Sequence, residues 1–523
     1  MVMGFSLHLL LLFVHLAICS SEQTFPYMTS NVEEVAGRSF DYIVVGGGTA
    51  GCPLAATLSE KFSVLLVERG GSPYGDPFIL ESKYYGFSLL QTDEYTSPAQ
   101  SFVSKDGVSN LRGRVLGGSS ALNGGFYSRA SKDFVKKVGW DNKGVRDAYE
   151  WVESRLSISK PDLTPWSNVV ATSFLEAGIC PYNGFSLEHI QGTKIGASSY
   201  DNQGRRHLSA DLLPAGNPSK ITVLLNATVN KVIFYRTRKH GTTDEKIARG
   251  IRFIKSDGSS KQNYEAYVNQ LQPDNSGSWG DVILTAGALG SPQILLLSGI
   301  GPQEQLNNFE IPLVLDLKGV GEGMQDNAAI GILANFNPEY RTPQPPKVVG
   351  IADDFKFIIN VIILPISFNE TIIPVTGKIA FPDSVGKLEL NSTDPRANPS
   401  VTFNYLSSEK DLAQCVTLTQ LLELTLRSKS IASFLGSNEH RNKPMPTQDE
   451  LRKLCKTTVR TFYHYHGGCT MGSVVDKNYR VYGVKGLRVI DGSTFLESPG
   501  TNPMATLLML GRYQGLKILK DRK

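Results

Sequence analysis

Apolar positions along the chain fall into runs whose length and spacing separate three kinds of element. Phe5 to Ile18 is a continuous apolar stretch of 14 residues, followed by the small residues Cys19, Ser20 and Ser21, with Ala17 placed for an A-x-C cleavage pattern. That is the length of a signal-peptide hydrophobic region and falls short of the roughly 20 residues of a membrane span. A core helix is the alternative, and the lack of Lys or Arg before the run departs from the usual charged lead. No other segment approaches 18 apolar residues, so residues 1–20 read as a secretory signal and the rest as a soluble, exported protein. Asp41 to Val45 (D-Y-I-V-V) is the short apolar run of a buried parallel strand. Cys52 to Lys61 spaces Leu54 and Leu58 four apart, as a helix does, and Phe62 to Val67 is a second apolar strand ending at Glu68. Near the C-terminus, Thr501 to Leu508 reads as a helix start, with Asn502 as the N-cap and Pro503 at the first helical position.

Between the first strand and its helix lies Gly46-Gly47-Gly48-Thr49-Ala50-Gly51, which contains G-x-G-x-x-G. In a strand–turn–helix–strand setting this is a dinucleotide cradle. Gly46 permits the tight turn, Gly48 admits a pyrophosphate close to the backbone, and Gly51 lets the helix pack on the strand. The helix N-terminus offers unpaired N–H groups and partial positive charge to phosphate. Glu68, about 20 residues beyond the first glycine, can accept from both ribose hydroxyls, which disfavours NADP. NAD and FAD both fit this much.

Composition narrows the rest. The chain has 523 residues, 41% of them hydrophobic and 20% charged, which excludes disorder as the main state. Length alone allows about three domains. Lys plus Arg number 53 against 49 Asp plus Glu, and no basic run is long enough to track phosphates, so nucleic acid is not an expected partner. Six cysteines become five if Cys19 leaves with the signal, so at least one thiol is free, and no C-x-x-C pair points to a zinc or thioredoxin-type site. Asn226, Asn369 and Asn391 stand in N-x-S/T sequons, compatible with glycosylation on the secretory route. Glycine, at 50 residues, is above the usual level of about 7%.

Two further glycine-rich stretches and a C-terminal block account for much of that excess. They are Arg112 to Gly125 (R-G-R-V-L-G-G-S-S-A-L-N-G-G), Gly287 to Gln293 with Ser298 to Pro302, and Tyr463 to Gly472 (Y-H-Y-H-G-G-C-T-M-G) with Gly486 to Ser493. With the cradle they make four ordered motifs, and by them the chain resembles the glucose–methanol–choline (GMC) family of FAD enzymes from about Phe40 to the C-terminus. Within that family it is most similar to the plant (R)-mandelonitrile lyases, or hydroxynitrile lyases. Phe174 to Gly178, Asn183 to His189 and the H-Y-H-G-G-C block carry the closer match.

The resemblance implies FAD as the cofactor and an α/β (mixed α+β) fold. A discontinuous Rossmann-like FAD domain (37–135, 195–330, 470–523) would stand beside a substrate domain (136–194, 331–469) with a helix-covered antiparallel sheet. Gly46, Gly48, Thr49, Ala50, Gly51, Glu68 and Arg69 would form the cradle; Val115, Ser119, Asn123, Gly124, Gly125 and Phe126 would line pyrophosphate and flavin. Val229 would touch adenine, Tyr463 would face the cofactor, and Asp491, Gly492, Pro503 and Met504 would sit at the pyrimidine end of the flavin. Lys387 to Tyr405, with its alternating Leu388/Leu390 and Val401/Phe403 and a turn at Asp394-Pro395, would supply part of the substrate-domain sheet. Cys415 and Cys455 would pair, leaving Cys52, Cys180 and Cys469 as thiols. The protein is expected to be a monomer.

His464 and His466 are two apart and share one side of a strand. From spacing alone they are half a metal site or a pair of satisfied histidines beneath a glycine turn, and no third ligand stands at suitable spacing. The resemblance instead makes His464 the catalytic imidazole and Asn502 its neighbour at the flavin, with Phe462 and Tyr463 beside the substrate. The implied reaction is lyase-like: general-base attack on a cyanohydrin hydroxyl, giving aldehyde and hydrogen cyanide. The alternatives are an FAD-dependent alcohol oxidase or dehydrogenase, with hydride passing to flavin N5, and a catalytically silent FAD-binding protein. Departures from the lyase pattern bear on the choice. Asn502 replaces the lyases' basic histidine, Tyr463 replaces Trp, Phe462 replaces Tyr, and an apolar residue near Ile358 replaces a Cys. The chain is also shortened around 365–385 and 430–450.

Overall fold

A computed structural model describes residues 25–237, 245–269, 280–334, 342–367 and 370–522. The apolar run 5–18 and Asn369 lie outside the described residues.

The centre is a six-stranded, wholly parallel sheet in the order Met28–Thr29, Ile221–Leu224, Val64–Val67, Tyr42–Val45, Val282–Leu284, Leu487–Val489. Three of these strands are apolar at every position and buried throughout, because both sheet faces are covered; Leu487–Val489 is also buried but carries Arg488, paired with Asp281. Alternation then sends side chains to opposite faces. Tyr42 and Val44 join the core beneath the helices Gly51–Ser59, Asn142–Arg155 and Met504–Asp521, while Ile43 and Val45 join the core on the other side. That second core is roofed by the helix Gly287–Leu297 and a sheet formed by Ala227–Thr237, Glu245–Lys255, Tyr264–Val268 and Ser39–Phe40. The helix Asn142–Arg155, grouped with the substrate part on sequence, thus buries its face in the core of the parallel sheet.

An eight-stranded sheet stands beside this unit, antiparallel apart from its edge pair Tyr182–Phe185 and Gly192–Ile195. Its middle strands are Ala328–Ala334, Thr371–Ile379, Phe357–Val361 and Val348–Ala352. Helices Pro165–Glu176, Glu409–Leu426 and Gln448–Thr458 cover one face and share a core with it. Cys415 and Cys455 form a disulfide between the last two helices, with Cα atoms 6.1 Å apart, and Cys52, Cys180 and Cys469 are free. The chain is therefore a mixed α/β protein with a parallel, Rossmann-like sheet and a helix-covered antiparallel sheet.

Two expectations need correcting. The 387–405 segment does form a hairpin, Gly386–Glu389 with Ser400–Thr402, but it pairs with Glu322–Met324 in a separate three-stranded sheet. Leu388, Leu390, Val401 and Phe403 are buried in the core of the parallel sheet, which gives their alternation a different partner. The C-terminal helix begins at Met504 with Pro503 as its cap, and the Asn502 side chain makes no capping bond. Its Oδ1 is buried without a partner among the described residues.

Candidate active site

The Tyr42–Val45 strand lies where neighbouring strands run off in opposite sequence directions, the switch point at which open parallel sheets bind ligands. Its last residue leads into Gly46, at φ +109°, where a Cβ would lie 2.6 Å from the Thr285 carbonyl oxygen. The following helix comes so close that a Cβ on Gly51 would fall 2.0 Å from the Gly46 oxygen. Gly48 differs, because a Cβ there would meet no protein atom nearer than 3.9 Å. Two of these glycines are required by the turn itself, whereas the third keeps a space clear. Gly118, from the second glycine cluster, closes over that space; a Cβ on it would stand 2.8 Å from the Gly48 Cα. Among the described residues, the N–H groups of Gly48, Thr49 and Ala50 reach no protein acceptor, which suits a phosphate. Glu68 is buried at the next strand end, its two oxygens accepting from the Gly47 and Gly70 N–H groups at 2.9 and 2.8 Å. Burial holds its carboxyl above the ordinary value.

From this cradle a cavity of about 490 Å³ runs to the antiparallel sheet. Gly46, Gly48, Thr49, Ala50, Glu68, Arg69, Ser119, Asn123, Gly124, Gly125, Phe126 and Val229 line it. So do Phe462, Tyr463, His464, Asp491, Gly492, Asn502, Pro503 and Met504. Residues separated by more than 400 positions are thereby brought to one space. Gly51 and Val115 stand behind the wall, and His466 is buried with Nδ1 3.0 Å from the His464 carbonyl oxygen. Asp491 ties the far end together: its carboxylate accepts from Ser291, Gly287, and both the N–H and hydroxyl of Ser493. Asn123 donates to the Met504 sulfur at 3.1 Å.

His464 is held by residues that sequence reasoning missed. Its backbone N–H donates to Asp326 Oδ1 at 2.8 Å, and Thr461 and Tyr405 donate to the other oxygen, both at 2.6 Å. Burial raises that carboxyl to about 6. The neighbouring Asn327 donates through Nδ2 to the carbonyls of Ile379 and Ala380, so its Oδ1 is the acceptor facing His464 Nδ1 at 3.1 Å. With a proton on Nδ1, Asn327 Oδ1 accepts it and Nε2 is free to act as a base, whereas a charged Lys378 donates to Nδ1 and leaves the proton on Nε2. Lys378, fully buried, donates to Asn327 Oδ1 and the Thr501 carbonyl and sits 3.1 Å from His464 Nδ1. Burial lowers the lysine to about 7, and burial, with Lys378 next, holds the imidazole well below its usual range. Tyr463 adopts φ +60°, a left-handed conformation that a side chain rarely takes. The available signals for this layer were Gln325-Asp326-Asn327 after a glycine run and one lysine within an apolar strand. Neither pattern announces which histidine it will meet. Among the described residues, no group of three or more His, Cys, Asp or Glu side chains is placed to hold a metal ion.

A Rossmann-like cradle that opens onto a buried imidazole on a neighbouring antiparallel sheet defines a dinucleotide-dependent enzyme built from two sheets. Comparison with known proteins narrows this. The chain matches the GMC oxidoreductase family models over residues 40–329 and 382–511, and it belongs to that family. It is 43% identical to an (R)-mandelonitrile lyase-like protein of Arabidopsis thaliana, covering 94% of this chain and 92% of that one. It is 41% identical to the sinalpyl alcohol oxidase Nec3 of Nesocodon mauritianus, covering 93% and 89%. In fold it is similar to a formate oxidase variant of Aspergillus oryzae, with a TM-score of 0.74 at 18% identity over 93% of this chain and 99% of that one. FAD is the cofactor of this family, and the residues present fit it: glycines keep the cradle clear, N–H groups at the helix start are free for phosphate, and the Glu68 carboxylate lines the same cavity.

Proposed function

We propose that this chain removes the hydroxyl proton of a small-molecule alcohol with His464 Nε2 and oxidises the carbon that bears it. The observation that carries this reading is that the cavity is lined by one imidazole, buried so that it is held neutral, with the Asn502 amide in place of a second base. FAD, when bound, accepts the hydride. The alcohol becomes a carbonyl compound as its O–H proton goes to His464 and its C–H hydride leaves. Asn327 holds the imidazole by Nδ1, and Asp326 fixes the backbone that presents it. A neutral base at physiological pH follows from burial and from the neighbouring Lys378 cation. The proposal extends to the cofactor-lining residues named above, and to a division between an FAD part and a substrate part.

Cyanohydrin cleavage is the second reading, favoured by the 43% identity to an (R)-mandelonitrile lyase-like protein. It begins with the same proton transfer but breaks C–CN and leaves the flavin oxidised. An amide at Asn502 cannot take the proton that the lyases' histidine takes. Offering the flavin-loaded protein mandelonitrile and a panel of alcohols without oxygen separates the two. Bleaching by an alcohol with no cyanide released is expected; cyanide with the flavin still yellow would overturn the oxidation reading. Neither result, with FAD bound, would leave a silent member of the family. Export as a glycosylated monomer is also proposed, supported by the 5–18 run and the exposed Asn226 and Asn391. Among the described residues no helix is long and apolar enough to cross a membrane.

A further inference from the structure

The register of the antiparallel sheet orders the side chains on its cavity face into rows. Ile358, Lys378 and Ala329 form one row, and Asn360, Thr376 and Gly331 form the next on that face. Beyond them come Pro374, Leu333 and Ile362, the last donating its N–H to the Pro374 carbonyl. Gly331, Asn360, Ile362, Leu364, Pro374 and Thr376 all line the cavity.

Asn360 is only 4% exposed, and among the described residues its Oδ1 has no hydrogen-bond partner. A buried amide oxygen left unpaired is destabilising, because it has given up its hydrogen bonds to water without replacing them. The other buried amide on this sheet's approach to the base, Asn327, uses both ends. Asn360 instead stands beside Thr376, to which it makes no hydrogen bond, on a wall otherwise of Ile, Leu and Pro, where a ligand donor is the partner it lacks. Its row lies one two-residue step, about 7 Å, from the row of Lys378 beside the base.

The geometry points to a specificity subsite. A substrate with its reacting hydroxyl at His464 reaches Asn360 with a second donor one aromatic ring away, and Asn360 Oδ1 accepts from it. Gly331 leaves that row without a side chain, giving room for a flat ring, and the walls beyond are apolar. The substrate class is thus an aryl carbinol with a phenolic hydroxyl opposite the carbinol group. The inference rests on the placement of the reacting hydroxyl at His464 in the proposed function.

The test compares 4-hydroxybenzyl alcohol with 4-methylbenzyl alcohol, which has similar shape but no donor. The wild-type enzyme is expected to prefer the phenol by about tenfold or more in kcat/KM, and Asn360→Leu to bring the ratio near one. A ratio near one in the wild type, or a preference that survives the substitution, would overturn the subsite. A binding arm uses 4-hydroxybenzaldehyde and 4-methylbenzaldehyde, followed by perturbation of the oxidised flavin spectrum. If no alcohol is turned over, phenol preference in binding that Asn360→Leu removes still supports the subsite while the oxidation reading fails. Equal binding overturns the subsite. Should Asn360→Leu not retain flavin, Asn360→Ser and the wild-type ratio decide.

Discussion

The two ends of the cavity are built by different means. The cradle is made by leaving atoms out: Gly46, Gly51 and Gly118 let backbone pass against backbone, and Gly48 keeps a space that no protein atom fills. The catalytic end is made by adding polar atoms to a dry sheet, with Asp326, Asn327 and Lys378 arranged around one imidazole. A substitution at the first end acts through space, and one at the second acts through charge and hydrogen bonding.

That contrast can be broken first within the cradle. Gly51→Val is expected to prevent folding, since its Cβ would sit 2.0 Å from a backbone oxygen, and soluble yield with thermal unfolding would show it. Gly48→Val should fold with the unfolding midpoint of flavin-free wild type yet carry no flavin, because its side chain enters the open space of the cradle. Flavin recovered with Gly48→Val would contradict the cradle assignment. At the other end, His464→Ala should retain the yellow spectrum and lose about 10²–10⁴-fold in turnover.

Lys378→Met sharpens the electrostatic side. Removing the cation takes away the second of the causes that depress His464, so the acid limb of the kcat/KM profile should move to higher pH. The variant also tests stability. A lysine at about 7 when folded and near 10.4 when unfolded binds fewer protons in the native state between those values. Wild-type stability should therefore rise with pH across that window, and the variant should lose that rise. A profile and a stability curve both unmoved would detach the lysine from the base. The smallest effect on the site is expected from Cys415→Ser with Cys455→Ser. Opening a bridge that spans 40 residues should cost about 3 kcal/mol of stability while leaving the flavin spectrum alone.

The same contrast explains what could be read from the sequence. The strand Tyr42–Val45, the glycines after it and the strand Val64–Val67 were legible because their logic is local, set by apolar runs and by residues without side chains. His464 was singled out only by the resemblance of its block to the GMC family, since spacing alone left it as half a metal site or a satisfied histidine. Asp326, Asn327 and Lys378 were silent because each reaches the imidazole across a sheet pairing that no local pattern encodes. Asn502 was half legible: the break before the helix was correct, but capping passed to Pro503 and freed the amide. The 387–405 hairpin showed its alternation but not which core would receive it, since alternation specifies a buried face and not its partner.

The last long helix bears on when the protein can begin to work. Met504–Asp521 packs against Gly51–Ser59, and Gly511 comes so near that a Cβ would lie 2.2 Å from the Ala50 oxygen. The cradle's own helix is thus braced by the final helix of the chain, and the strand Leu487–Val489 that extends the central sheet also comes late. During synthesis, at about 5–20 residues per second, the glycine loop emerges more than 400 residues before its brace. Firm cofactor capture is therefore expected to wait for that helix: a chain cut before Met504 would have every cradle glycine in place but its helix unbraced, and should retain less flavin.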